Sequence, residues 1–188
     1  MPTALLEHLS TVGFMETGLG WVIIGAMAAL TLGALGSSCG FAITCTQGIG
    51  VLTEKPDLFG KIFLLSLLPG TQALYGLVFA FLTAAVYAGL AAEAGVAAAY
   101  SITPVVGLSI MAVGVMVGLV LGISAIYQAK VIAAGMSMTA RQEEQFGRAI
   151  IIQALIETNA VFALLVGILL VNWLIKNGAT INLAAGGA

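Results

Sequence analysis

The chain has 188 residues, 61% of them hydrophobic and only 7% charged, with a formal net charge of −2. A soluble domain carries about 25% charged residues, so a water-facing globular surface is excluded, and the weak acidic balance argues against nucleic-acid binding. Lipid is the solvent that suits such a surface.

A spanning helix takes about 20 mostly apolar residues, and four stretches qualify: 18–52, 62–92, 101–135 and 149–175. The segment before the first span contains no Lys or Arg, so no secretory leader is expected there. The first span carries small residues every fourth position, Gly25, Ala29, Gly33 and Ser37, with a second row at Gly36, Gly40, Thr44 and Gly48. Its two cysteines, Cys39 and Cys45, lie six apart on one helix, which suits neither zinc nor a disulfide within that helix, and they are expected to be packing residues. The second span is bulkier and is interrupted by Pro69, which frees the Leu65 carbonyl four residues back. The third repeats the small-residue row at Gly114, Gly118 and Gly122, and the fourth is bulky again. Small residues at this spacing let helices approach closely in lipid. Slim first and third helices inside thick second and fourth ones would suit a concentric ring, although an ordinary bundle with one tight seam fits equally well.

Basic residues set the expected orientation. Lys55 and Lys61 flank the first connection, Arg141 and Arg148 flank the third, and the middle connection has none. By the positive-inside rule, loops 53–61 and 136–148 face the cytoplasm and both termini face outward. Lys176 is a minor exception, and Lys130 can snorkel from the end of the third span.

The halves also resemble each other. Phe59-Gly60-Lys61 opens the second span as Phe146-Gly147-Arg148 opens the fourth. At that offset Gly48 matches Gly135, Ser37 matches Ser124, Leu68 matches Leu155, Thr71 matches Thr158, and Tyr75 matches Phe162. The fold class is therefore an all-α membrane protein of four transmembrane helices, built from tandem hairpins at 1–92 and 93–188 that run in the same direction.

Glu157 is the acidic residue deep inside a span. Insertion of such a group at a helix centre costs about 2.5–3.5 kcal/mol, which marks a functional site. Its expected company is rich in oxygen: Thr158 beside it, Thr71 and Gln72 at matching depth in the second span, and Gln128 in the third. Gly70 stands at the position that matches Glu157, so the first hairpin has no carboxylate. A bare monovalent cation needs several oxygen ligands and one negative charge, whereas a proton needs only a carboxyl group in an apolar pocket. The additional oxygens point to Na⁺ over H⁺.

The run Leu67-Leu68-Pro69-Gly70-Thr71-Gln72-Ala73-Leu74-Tyr75-Gly76, with Tyr127-Gln128-Ala129-Lys130-Val131 and Glu157-Thr158, resembles the K (proteolipid) subunit of bacterial sodium-transporting V-type ATPases. The resemblance implies Na⁺ coordination by Thr71, Gln72, Gln128, Glu157 and the backbone carbonyl of Leu68, with Tyr75 hydrogen-bonded to the glutamate. It implies a homo-oligomeric rotor ring in the plasma membrane, in contact with lipid. A stator subunit would supply half-channels and an essential arginine, and central-stalk subunits would meet the cytoplasmic loops. The chain shows no nucleotide-binding loop, so ATP hydrolysis is expected in partner subunits. Asn159 departs from the family pattern, where an aromatic residue is expected. A proton-carrying ring of the same architecture is the nearest alternative. A small four-helix multidrug exporter is a more distant one, disfavoured by the parallel tandem repeat.

Overall fold

A computed structural model describes residues 18–94 and 102–185. The N-terminal segment, most of the middle connection including Gly95, and the last three residues lie outside the described residues. Helix α1 is Leu19–Glu54, α2 Phe59–Leu67, α3 Thr71–Ala94, α4 Pro104–Arg141 and α5 Phe146–Ala185. A one-turn 3₁₀ segment, Leu68–Gly70, joins α2 to α3, so the two together make the second span. All four spans are long and apolar enough to cross a membrane. They extend past the expected bounds at the two tight turns, because polar residues such as Glu54 and Arg141 continue the helix as readily as apolar ones.

Local chemistry sets the helix ends. The φ of +69° at Gly18, a conformation glycine adopts without strain, starts α1. Thr103 caps α4 by accepting the Val106 N–H, and Pro104 occupies the first turn, where its missing donor costs nothing. At the two turns the repeat becomes structural. Helices end at Glu54 and Arg141, 3₁₀ turns follow at Pro56–Leu58 and Glu143–Gln145, and helices restart at Phe59 and Phe146, each pair 87 residues apart.

The halves differ at Pro69. There the second span tightens into a 3₁₀ turn, whereas α5 runs unbroken through the matching Ile156. The expectation that Pro69 frees the Leu65 carbonyl is corrected, since the tightened turn brings the Leu68 N–H onto that oxygen. The break is instead compensated one helix away. The Ala73 N–H, at the start of α3, donates to the Ser37 hydroxyl at 3.0 Å, supplying one of the partners that a new helix start lacks.

Helices α1 and α4 form the closest seam, as the small-residue rows anticipate. A methyl group added at Gly36 would strike the Gly122 backbone, and one at Gly114 the Gly25 backbone. Backbone cannot yield as a side chain can, so Gly36→Val is expected to lower thermal stability in detergent by at least the ~1–3 kcal/mol of ordinary overpacking. Gly50→Ala, where a Cβ meets nothing within 4 Å, is the control that leaves it unchanged or raised. Cys39 and Cys45 do not pack inside this bundle as expected. Both are free thiols on its exposed face.

Lys61 donates to Glu143 at 2.6 Å and Lys55 to the Ala140 carbonyl at 2.6 Å, joining the two tight turns at one end of the bundle. Both hairpins therefore run in the same direction. Lys130 is exposed, its ammonium 4.9 Å from the Tyr127 ring centroid. Two apolar clusters fill the interior. One, around Ile62, Leu65, Ile132 and Met136, lies toward the turns, and the other, around Ala29, Phe79, Ile110 and Leu121, lies toward the far end.

Candidate ion-binding site

Between these clusters lies a band of polar side chains drawn from three spans. It sits about a dozen residues from the start of α2 and of α5, or about 17 Å along each helix, which is mid-depth for a hydrocarbon core about 30 Å thick.

The 3₁₀ turn builds the first part. Thr71 donates its hydroxyl to the Leu68 carbonyl at 3.0 Å and lies 3.3 Å from Gln72 Oε1. Gln72, fully buried, donates from Nε2 to Oε1 of the equally buried Gln128 on α4 at 2.6 Å. Gln128 Nε2 in turn donates to Gln153 Oε1 on α5. One turn along α5 from Gln153, half-buried Glu157 accepts a 2.8 Å hydrogen bond from the Tyr75 hydroxyl. Ser124 of α4 donates to the Ile156 carbonyl at 3.2 Å and pins α5 beside the carboxylate.

Every residue expected at the site therefore falls in one band. Leu68, Thr71, Gln72 and Gln128 are linked in series, and Tyr75 and Glu157 are joined directly. Thr158 is the exception among the expected company. It is exposed, and its hydroxyl donates to the Leu155 carbonyl on the outer side of α5. Gln153 is the member that sequence reasoning misses. Its signal is present, because an amide inside the apolar run Ile150-Ile151-Ile152 to Leu155, four residues before Glu157, shares the carboxylate's face.

The donor set suits a hard monovalent cation. Each amide oxygen has two lone pairs, so it can accept a neighbour's N–H and still offer an oxygen to an ion. Among the described residues no cluster of three His, Cys, Asp or Glu exists, so a site here would be one carboxylate among neutral oxygens. The arrangement is that of a membrane-embedded carrier of a small cation.

Comparison with known proteins agrees. The family model for the C subunit of ATP synthase matches twice, over residues 24–83 and 111–170, and the chain belongs to this family. The two matches are themselves 87 residues apart, the spacing of the structural repeat. The chain is 31% identical over 167 residues to the V-type sodium ATPase subunit K of Enterococcus hirae, covering 89% of this chain and 98% of that protein. It is 34% identical over 156 residues to the A-type ATP synthase subunit K of Methanocaldococcus jannaschii, covering 83% of this chain but only 64% of that longer relative. The chain is thus a multi-pass membrane protein of the proteolipid class and not a small exporter.

Proposed function

We propose that this chain is the ion-carrying subunit of a V-type ATPase rotor ring and that its cargo is Na⁺, moved across the membrane at the expense of ATP hydrolysed by partner subunits. The observation that carries the reading is the single membrane-depth carboxylate, Glu157, flanked by Tyr75 and by the amide series Gln72–Gln128–Gln153. Three buried amides in series are costly ornaments around a group that has only to take a proton, because each must be fully hydrogen-bonded to tolerate hydrocarbon. Around Na⁺ they replace its water. The sodium ATPase subunit of E. hirae, similar over nearly its whole length, supports the same cargo.

In this reading Thr71, Gln72, Gln128, Glu157 and the Leu68 carbonyl hold the ion, and Gln153 orients Gln128. Tyr75 holds the carboxylate in its outward-facing rotamer. Copies stand in a ring against a stator subunit that supplies two half-channels and an arginine able to displace the ion from half-buried Glu157. Central-stalk subunits meet the polar turns at 53–61 and 136–148. A hydrophobic carbodiimide reacts with a protonated carboxyl group, so it should modify Glu157 in purified rings, and Na⁺ should protect against it at neutral pH. Labelling unaffected by Na⁺ would point to a proton ring.

The orientation is tested separately. In a background lacking Cys39 and Cys45, single cysteines at Pro56 and Gln142 should react only with reagent on the cytoplasmic side, and one at Gly95 only from outside. Labelling of Pro56 and Gly95 from the same side would remove the four-span topology.

A further inference from the structure

The 87-residue repeat has a consequence at the surface of the chain. Within one copy, the first hairpin presents a face that the second hairpin covers. The second hairpin presents the matching face, and in a single copy nothing covers it. We propose that the next copy docks there by repeating the internal seam, and that Thr158 and Asn159 then line a second pocket of the same construction as the ion site, without a carboxylate and closed by Phe41 of the next copy. The inference rests on the ring reading above.

Four observations support this docking. First, the counterparts of the buried α1–α4 contacts are exposed. Gly36 and Gly122 touch within the chain, and their counterparts Ile123 and Leu35 are 55% and 58% exposed. Second, knobs and grooves correspond. Met136 packs in the chain near Gly48 and Ile62. Its counterpart Ile49 is 68% exposed, and the counterparts of Gly48 and Ile62, Gly135 and Ala149, line an open apolar groove of about 160 Å³. The same alignment places exposed Cys45, the counterpart of Ile132, at that groove, so the seam between copies buries it.

Third, the second pocket is already half-formed. The Thr158 hydroxyl donates to the Leu155 carbonyl at 2.8 Å as that of Thr71 does to Leu68 at 3.0 Å. Asn159 occupies the position of Gln72, and both Thr158 and Asn159 are polar groups left exposed at mid-span. Fourth, the remaining positions are blocked. Phe41 stands where Gln128 does and Gly70 where Glu157 does, and a Cβ at Gly70 would meet the Phe41 ring at 2.6 Å. An aromatic ring thus fills the volume that an amide and a carboxylate occupy in the true site. At the tight turns the charges also agree, since Arg148 takes the position of Lys61 and Asp57 that of Glu144. The pocket between copies therefore contributes Thr158 and Asn159 as polar contacts and adds no ion per turn.

The register is tested by cysteine pairs. A Cβ at Gly40 would lie 3.4 Å from that of Ala129, close to disulfide spacing. The counterpart pair across the seam is Tyr127 and Ala42, both exposed and on opposite faces of one copy. In a chain lacking Cys39 and Cys45, Tyr127→Cys with Ala42→Cys should oxidise to a ladder of dimers, trimers and higher multimers on denaturing gels. Asn159→Cys with Phe41→Cys should give the same ladder with a short bis-methanethiosulfonate. Closed rings, verified by electron microscopy, that yield neither ladder overturn this docking and leave the ring reading intact. A ladder from the first pair alone removes Asn159 and Phe41 from the seam and overturns the second pocket. If the purified chain forms no ring, the ring reading fails and this inference fails with it.

Discussion

Glu157→Gln is expected to abolish ion transport while the ring still assembles. The substitution keeps the shape and leaves an oxygen that can accept from Tyr75, which bonds to Glu157 at 2.8 Å. It removes the one negative charge in a band otherwise built of neutral groups. Leaving a cation without its counter-charge in a water-poor site costs about 3–5 kcal/mol, or roughly a hundred- to several-thousandfold in affinity. Uptake of ²²Na⁺ by vesicles reconstituted with the variant complex should fall to background, and the ring should run at its usual size on a native gel. Uptake at the parent rate would remove Glu157 from the ion's path.

Gln72→Leu carries the second large effect and tests the choice of ion. Gln72 is fully buried and donates to Gln128 at 2.6 Å, so leucine removes one ligand oxygen and takes the partner from another. Loss of one charge-assisted contact costs about 1.5–3 kcal/mol, or roughly ten- to a hundredfold in Na⁺ affinity, while Glu157 stays free to take a proton. The measurement is ²²Na⁺ binding to purified rings across pH. In the parent protein, affinity should fall as pH falls, because Na⁺ and a proton compete for Glu157. Gln47→Leu, which breaks a 2.9 Å contact with Ser137 nearer the turns, serves as a control and should leave binding unchanged. Equal affinity in the Gln72 variant and the parent would reduce the amide series to packing, and a parent that binds no Na⁺ at neutral pH would make the ring a proton carrier.

The amide series also explains why one helix of the four is broken. In α5 the carboxylate comes from an unbroken helix, and Ser124 supports it through the Ile156 carbonyl. In the second span Pro69 takes the place of Ile156, and the resulting 3₁₀ turn offers the Leu68 carbonyl, with Ser37, the counterpart of Ser124, now accepting from Ala73. Two matching serines thus do opposite jobs, one stabilising a helix start and the other a carbonyl, because one proline separates the two repeats.

The amino-acid sequence by itself determined the four spans, the tandem repeat and the identity of the charged residue. These are properties of composition and period: a run of apolar residues has one stable environment, and a lone Glu157 inside it has few roles. It also showed Thr71, Gln72 and Tyr75 on one face, since helical spacing is local. Only the tertiary structure decided which polar groups meet. Gln153 joined the site because α4 and α5 pack closely enough there for two amides to bond. Thr158, next to Glu157 in sequence, left it because adjacent residues point about 100° apart on a helix. Pro69 likewise did not leave Leu65 unpaired, because the chain tightened by one residue and a serine from α1 met the new helix start. Contacts between helices depend on how the backbones approach, and here that approach is set by glycines meeting glycines across α1 and α4, a pairing that no single helix's sequence specifies.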